Sequence, residues 1–423
     1  MKAREQIFFA ERVVPGDRVA FIPDLTAKPP AAREVKILRK SPERWNHPCP
    51  HAKTCPASEW GIVVYEAQVR EKTGLVRRVL RGVVEPELVA EMWPSPQPWG
   101  YRNRLTLNVL PTARGSMEFG YALAAREARI VPIKDCLLAD EEIRVALRGI
   151  FAEVRDLKTV RPEIVPNRLT LYRAETGAAA LAIYTSRVSE SDVLEFLELA
   201  DEWPLDGGIW AATGTKSGLV ESRGTFWREE ESSSIHVGWL GHPIAVHPAG
   251  FSQANQSSAD LVLRELAAFR DSWRPKTVWD LYGGYGALGF AAVPDGAALE
   301  VVEQSGFSES AFAALSALRP GAVARFHQGE VARLLGKMAR HMTADDLVIL
   351  DPPRSGCHPD VLGHLNASGA RRIVYLSCNP ARLARDLRIL QEHGWAAKSV
   401  QPVDFFPQTP EIEVLAVIER GLG

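Results

Sequence analysis

Three short segments in the last third of the chain carry side chains able to do chemistry together. Ser377-Cys378-Asn379-Pro380 sets a thiol at the end of an apolar run, Arg372 to Leu376. Asp351-Pro352-Pro353-Arg354 sets a carboxylate at the end of another, Leu347 to Leu350. A third run ends in a glycine-rich turn, Asp280-Leu281-Tyr282-Gly283-Gly284-Tyr285-Gly286. A thiolate is a strong nucleophile where it is partly exposed near positive charge or backbone donors. A carboxylate holds or moves a proton, and a glycine turn that opens a helix lets a ligand approach backbone N–H groups. Singly, each has a plainer reading: a buried structural cysteine, a stiff proline turn, a tight strand-to-helix turn. Open parallel sheets bind ligands beyond their strands' carboxyl ends, so the three together describe one site.

The turn Gly284-Tyr285-Gly286-Ala287-Leu288-Gly289 fits the dinucleotide fingerprint, and Glu303, nineteen residues past Gly284, is placed to hold ribose hydroxyls. Nicotinamide dinucleotides and S-adenosyl-L-methionine both carry that ribose. Asp351 tilts the choice to the methyl donor, since a dehydrogenase has no evident use for the acid–proline turn. Cys378 then acquires a specific purpose. Carbon 5 of uracil is too poor a nucleophile to take a methyl group from a sulfonium unaided. A thiolate adding at carbon 6 turns the ring into an enolate whose carbon 5 can attack. The adduct must afterwards lose its carbon-5 proton to a base. Glu413 begins the last strand and Glu411 lies one strand period away, on the same face; spacing alone does not separate them.

The positioning elements follow from the patterning. Apolar runs recur at 277–282, 298–302, 322–327, 346–350, 372–377, 395–402 and 412–419, with helical patterns in most gaps. Such alternation predicts an α/β domain with a parallel sheet and helices on both faces. The last two runs are joined too tightly for a crossover helix, so the seventh strand is expected to be antiparallel. Upstream, short strands are expected at 18–22 and 33–38, helices at 62–81, 140–157 and 190–200, and mixed α+β structure over 99–240. The expected division is 1–45, a short β-rich segment; 46–240, a central α+β domain; and 241–423, the sheet with the site.

At 423 residues, 46% apolar and 24% charged, the composition is that of an ordinary soluble chain. No apolar run is long enough to span a membrane and no secretory signal opens the chain, so a cytoplasmic protein is expected. Five cysteines make a disulfide framework unlikely to be the organising principle. The net charge of -2 argues mildly against nucleic acid, but residues 1–40 hold nine basic against five acidic side chains. Lys72, Arg77, Arg78 and Arg81 fall together on an expected helix, a basic patch compatible with RNA.

With these residues in hand, the chain resembles the RNA uracil-5-methyltransferase family over nearly its whole length. The likeness is carried by Ser41-Pro42-Glu43-Arg44, Tyr65-Glu66-Ala67-Gln68 with Lys72, Tyr101-Arg102-Asn103-Arg104, Phe251-Ser252-Gln253-Ala254-Asn255, the three segments above, and Phe406-Pro407-Gln408-Thr409 with Glu413. The resemblance implies a seven-stranded Rossmann-like methyltransferase domain. It implies that Cys378 is the nucleophile and Glu413, rather than Glu411, the base. Gln253, Tyr282, Gly284, Gly286, Glu303 and Glu330 would surround S-adenosyl-L-methionine, with Asp351 between donor and target. The implied substrate is a uridine of structured RNA, rRNA ahead of tRNA, flipped out of its stack by a monomeric enzyme. The β-rich segment resembles a shortened form of the family's RNA-binding TRAM barrel. Cys49, Cys55 and Cys136 match three of the four ligands of an iron–sulfur cluster found in a subset of relatives, but Ser58 stands at the third position. Three readings stay open there: a cluster with an oxygen or solvent ligand, an empty site, or zinc with His51 or His47. Two other classes stay in play: an idle RNA-binding protein on the same scaffold, and an N-methyltransferase or dinucleotide oxidoreductase.

Overall fold

Seven strands between Thr277 and Arg420 form the sheet that carries the site. We number them β1 (Thr277–Leu281), β2 (Ala298–Glu303), β3 (Val323–Gln328), β4 (Leu347–Leu350), β5 (Arg372–Ser377), β6 (Trp395–Val403) and β7 (Glu413–Arg420). The computed structural model describes all residues except 1, 4–5, 123–129, 156, 186, 216–225, 229–234 and 422–423. The strand order is β3-β2-β1-β4-β5-β7-β6. Strands β1 to β5 are mutually parallel, and β7 runs antiparallel between β5 and β6. Helices in the connections cover both faces, as parallel strands buried on both sides require. Inward-facing residues such as Leu299, Val301, Ile349, Val374 and Leu415 build one core, and Val348, Leu350, Ile373, Tyr375 and Ala416 the other. All seven strands and the reversed last one therefore stand as the patterning predicts.

A second seven-stranded sheet lies upstream, its middle formed by Arg104–Pro111, Arg168–Arg173, Ala178–Tyr184 and Ile209–Thr213. Helices Glu141–Arg155 and Glu190–Ala200 pack on it. The hairpin Ile235–Trp239 with His242–Val246 straddles residue 240, and its apolar side joins the core under β1 and β2. The β-rich start is present as a hairpin, Arg18–Asp24 with Ala31–Arg39, and a two-residue pair at Lys2–Ala3 and Gln6–Ile7. Among the described residues these strands do not close into a barrel. No helix among them is long and apolar enough to cross a membrane.

The helix Tyr65–Val79 removes Lys72 from the basic patch expected there, while Arg77, Arg78 and Arg81 stay exposed. Lys72 is fully buried, its Nζ 2.8 Å from Asp404 Oδ1 and 3.0 Å from the Phe406 carbonyl. Arg77 is engaged by Glu91 at 2.8 Å. Lys72 thus faces the segment that leads into β7, not solvent.

Candidate active site

The reversal of β7 puts its first residue at the edge where β4 and β5 end. Ser377 pairs with Val414, so one further step sets Cys378 opposite Glu413. Directly opposed residues of an antiparallel pair lie about 4.5–5.5 Å apart at Cα. Asp351, one residue past β4, completes a row of three acidic groups on adjacent strands. Cys378 is half-buried and Glu413 buried. Burial pushes the Cys378 thiol up to about 11, with Glu413 and Asp351 adding to it and Arg354 opposing. Burial likewise pushes Glu413 well above the carboxylate range, Asp351 reinforcing and Arg354 opposing. Asp351 rises to about 7 through burial and the neighbouring Glu303. Glu411, the rival base, sits outside this row. Its partly exposed carboxylate grips Arg354, Oε2 to Nη2, at 3.0 Å.

A cleft beside Asp351 is lined by Gln253, Tyr282, Gly284, Leu376 and Phe405, so three donor-site residues expected from sequence meet Asp351 in one place. Tyr282, at the exit of β1, holds φ of 60°, a strained value for a side chain with Cβ. Gly286 follows at φ 83° and opens the helix Ala287–Ala292. Asp280 explains the spacing of the glycines. Its Oδ2 accepts the Gly289 N–H at 2.9 Å, and a Cβ at Gly283 or Gly289 would come within 3 Å of the same side chain. Fully enclosed, its carboxyl is pushed well up by burial. Glu303, at the end of β2, accepts N–H bonds from Gly284 at 3.1 Å and Ser305 at 2.7 Å. Glu330 is the cap residue of the helix Val331–Met338 after β3. The donor residues expected from sequence therefore gather around one sheet edge.

A second groove adjoins the acid–proline turn, with Arg102, Arg104 and Arg354 set among Glu59 and Glu411. Arg104 stands 5.4 Å over the ring of Phe251, which is 59% exposed.

Sequence reasoning missed what holds the segment 404–412. Asp404 takes Lys72 on Oδ1 and the Tyr65 hydroxyl on Oδ2 at 2.9 Å. Gln68 Nε2 donates to Gln408 Oε1 at 2.7 Å, and Gln408 N–H donates back to Gln68 Oε1 at 2.9 Å. Asn255 Nδ2 and the Tyr101 hydroxyl donate to the carbonyls of Phe405 and Pro407. The polar residues of four quoted segments thus converge on the approach to Glu413.

The thiols of Cys49, Cys55 and Cys136 line one small cavity with Ser58 and His51. The Cys49 N–H donates to His47 Nδ1 at 3.1 Å, so the ring proton sits on Nε2, 3.0 Å from both Ser58 O and Ser58 Oγ. The ring lies where a Cβ at Gly61 would come within 2.4 Å of it. Ser58 is thereby committed to His47 as a neutral acceptor. Burial pushes the Cys55 thiol up to about 11. Among the described residues no group of three or more His, Cys, Asp or Glu side chains is arranged to hold a metal ion. The expected metal ligands Cys49, Cys55 and Cys136 thus share one cavity with a serine hydroxyl in place of a fourth thiol.

The sheet order with its reversed seventh strand, and a ligand cleft at the β1 and β4 exits, define a methyltransferase fold. The family described as tRNA (uracil-5-)-methyltransferase matches residues 301–420. An RNA methyltransferase of Gloeobacter violaceus is 31% identical, covering 98% of this chain and 92% of its own. One of Caldanaerobacter subterraneus is 26% identical over 92% and 88%. The chain belongs to the RNA (uracil-5-)-methyltransferase family. The fold agrees with the crystal structure of Pyrococcus abyssi tRNA (uracil-54, C5)-methyltransferase in complex with S-adenosyl-L-homocysteine, at a TM-score of 0.71, 21% identity, and coverage of 97% and 95%.

Proposed function

We propose that the protein transfers a methyl group from S-adenosyl-L-methionine to carbon 5 of a uridine in structured RNA. The observation that carries this reading is the placement of Cys378 opposite Glu413 at the edge of the cleft that holds Asp351, Tyr282 and Gln253. The Cys378 thiolate bonds to carbon 6, and the displaced electron pair moves into the ring as an enolate. Carbon 5 then takes the methyl, and S-adenosyl-L-homocysteine leaves. Glu413 accepts the carbon-5 proton, and the freed pair re-forms the double bond as the thiolate departs. Asp351, protonated below about pH 7, is suited to hydrogen-bond a base edge or share a proton with the row. The donor lies along Gln253, Tyr282, Gly284, Gly286, Glu303 and Glu330. The arginine groove beside the site favours a polyanion, and rRNA is the substrate class we favour, with tRNA the alternative.

Two variants test this. Cys378→Ala should abolish methyl transfer while calorimetry still shows donor binding. Glu413→Gln should accumulate a covalent RNA adduct that survives denaturing electrophoresis. Free turnover in either rejects the assigned role. Mapping methyluridine in rRNA and tRNA of a deletion strain by mass spectrometry decides between the two substrates.

A further inference from the structure

The free pocket is poor in positive charge for the chemistry it must start. Cys378 has to ionise between Glu413, at the head of β7, and Asp351, at the exit of β4. Arg354 opposes the carboxylates both at the thiol and at Glu413, where Glu411 bears as well. Arg354 is coupled to the nucleophile's own turn. Its carbonyl accepts from Asn379 Nδ2 at 3.2 Å, and Asn379 follows Cys378 directly. Pro352 and Pro353 stiffen the loop, and the Gly356 N–H closes it on the Pro353 carbonyl at 2.8 Å. The guanidinium lines the arginine groove and is gripped there by both oxygens of Glu411, at 3.3 and 3.0 Å.

We propose that Arg354 is the positioning cation that favours the Cys378 thiolate, and that Glu411 fixes its guanidinium in the adjoining groove while offsetting part of its charge. This rests on Cys378 being the nucleophile. It gives Glu411 a purpose distinct from that of the base two residues on. Two-point pairing fixes the plane and position of a guanidinium as a single contact does not. The carboxylate also moderates the field that reaches the sulfur, so the thiol is not held permanently ionised and open to oxidation.

The test is alkylation of Cys378 by iodoacetamide in the full-length protein without RNA, followed by peptide mass spectrometry across the thiol titration. Arg354→Gln should raise the midpoint by about one unit at most and slow alkylation up to about tenfold at neutral pH, the lower end of what a near cation does because this side chain is 68% exposed. Arg354→Lys should keep most of the wild-type profile. Glu411→Gln should lower the midpoint and speed alkylation, and that gain should vanish in the Arg354→Gln background. An unchanged midpoint in Arg354→Gln overturns the proposal. So does a Glu411→Gln gain that persists without Arg354, since the carboxylate would then act on the sulfur directly. Binding of S-adenosyl-L-homocysteine to each variant, by calorimetry, separates a folding defect from an electrostatic one. The readout needs neither RNA nor turnover. A negative result here leaves the Cys378→Ala and Glu413→Gln outcomes standing, and methyl transfer without the thiol would refute that assignment instead.

Discussion

Lys72→Met should destabilise the protein more than any surface change. Both partners of the Lys72–Asp404 pair are wholly enclosed, with Nζ 2.8 Å from Oδ1. Removing one member of a buried pair leaves a stranded charge and costs about 3–5 kcal/mol. Asp404 would keep the Tyr65 hydroxyl at 2.9 Å and the Phe406 N–H at 3.2 Å, which places the cost near the lower end, about 3 kcal/mol. At about 2–4 °C per kcal/mol for a domain of ordinary size, Tm should fall by about 6–12 °C. The double variant Lys72→Met/Asp404→Asn removes the stranded charge and should recover more than half of the loss. Thermal melts followed by circular dichroism at neutral pH measure both. A loss under about 0.5 kcal/mol in the single variant, within the scatter of surface changes, refutes the reasoning. A double variant no more stable than the single does so equally.

Three further outcomes follow from the site. Gly289→Ala would bring a methyl within 2.8 Å of Asp280 Oδ2 and 2.6 Å of Leu299. It should cost about 1–3 kcal/mol by overpacking and weaken donor binding by calorimetry; unchanged stability and affinity would show the turn to be slack. Asp351 holds its proton more tightly folded than unfolded, its midpoint rising from 3.8 to about 7, so the stability it contributes is full below the lower value and lost as pH rises through the upper one. The Tm of Asp351→Asn relative to wild type should therefore climb between about pH 4 and 7 and then level off, whereas a difference flat with pH contradicts the shift. Anaerobically purified protein should carry no stoichiometric iron, zinc or acid-labile sulfide, and Ser58→Cys reconstituted with iron and sulfide should take up about four irons per chain. Stoichiometric metal in the wild type would show that His47 yields Ser58 to a ligand role.

The sheet was legible because buried parallel strands leave near-continuous apolar runs, and the reversed β7 because its connection is too short for a crossover. The placement of Cys378 and of the acid–proline turn was legible for the same reason, since each ends such a run. Alternation puts Glu413 and Glu411 on one face and does not tell them apart; the register with β5 sets Glu413 opposite Cys378, while Glu411 pairs with Arg354. Lys72 misled because a lysine on an amphipathic helix reads as solvated, while its partner lies 332 residues away. The Gln68–Gln408 exchange, 340 residues apart, was hidden by the same distance. Ser58 left three readings open because a serine's partner is invisible in one dimension. The ring of His47 supplies it.

Backbone direction also decides which kinds of change this enzyme can survive. Because β5 leaves and β7 enters at one rim, their ladder of N–H···O bonds works as a ruler holding sulfur and carboxylate at a set spacing. Lengthening the link between β6 and β7 would leave that ruler intact. Inserting a single residue inside β7 would instead turn Glu413 toward the opposite side of the sheet, with every strand still in place and the proposed proton acceptor gone.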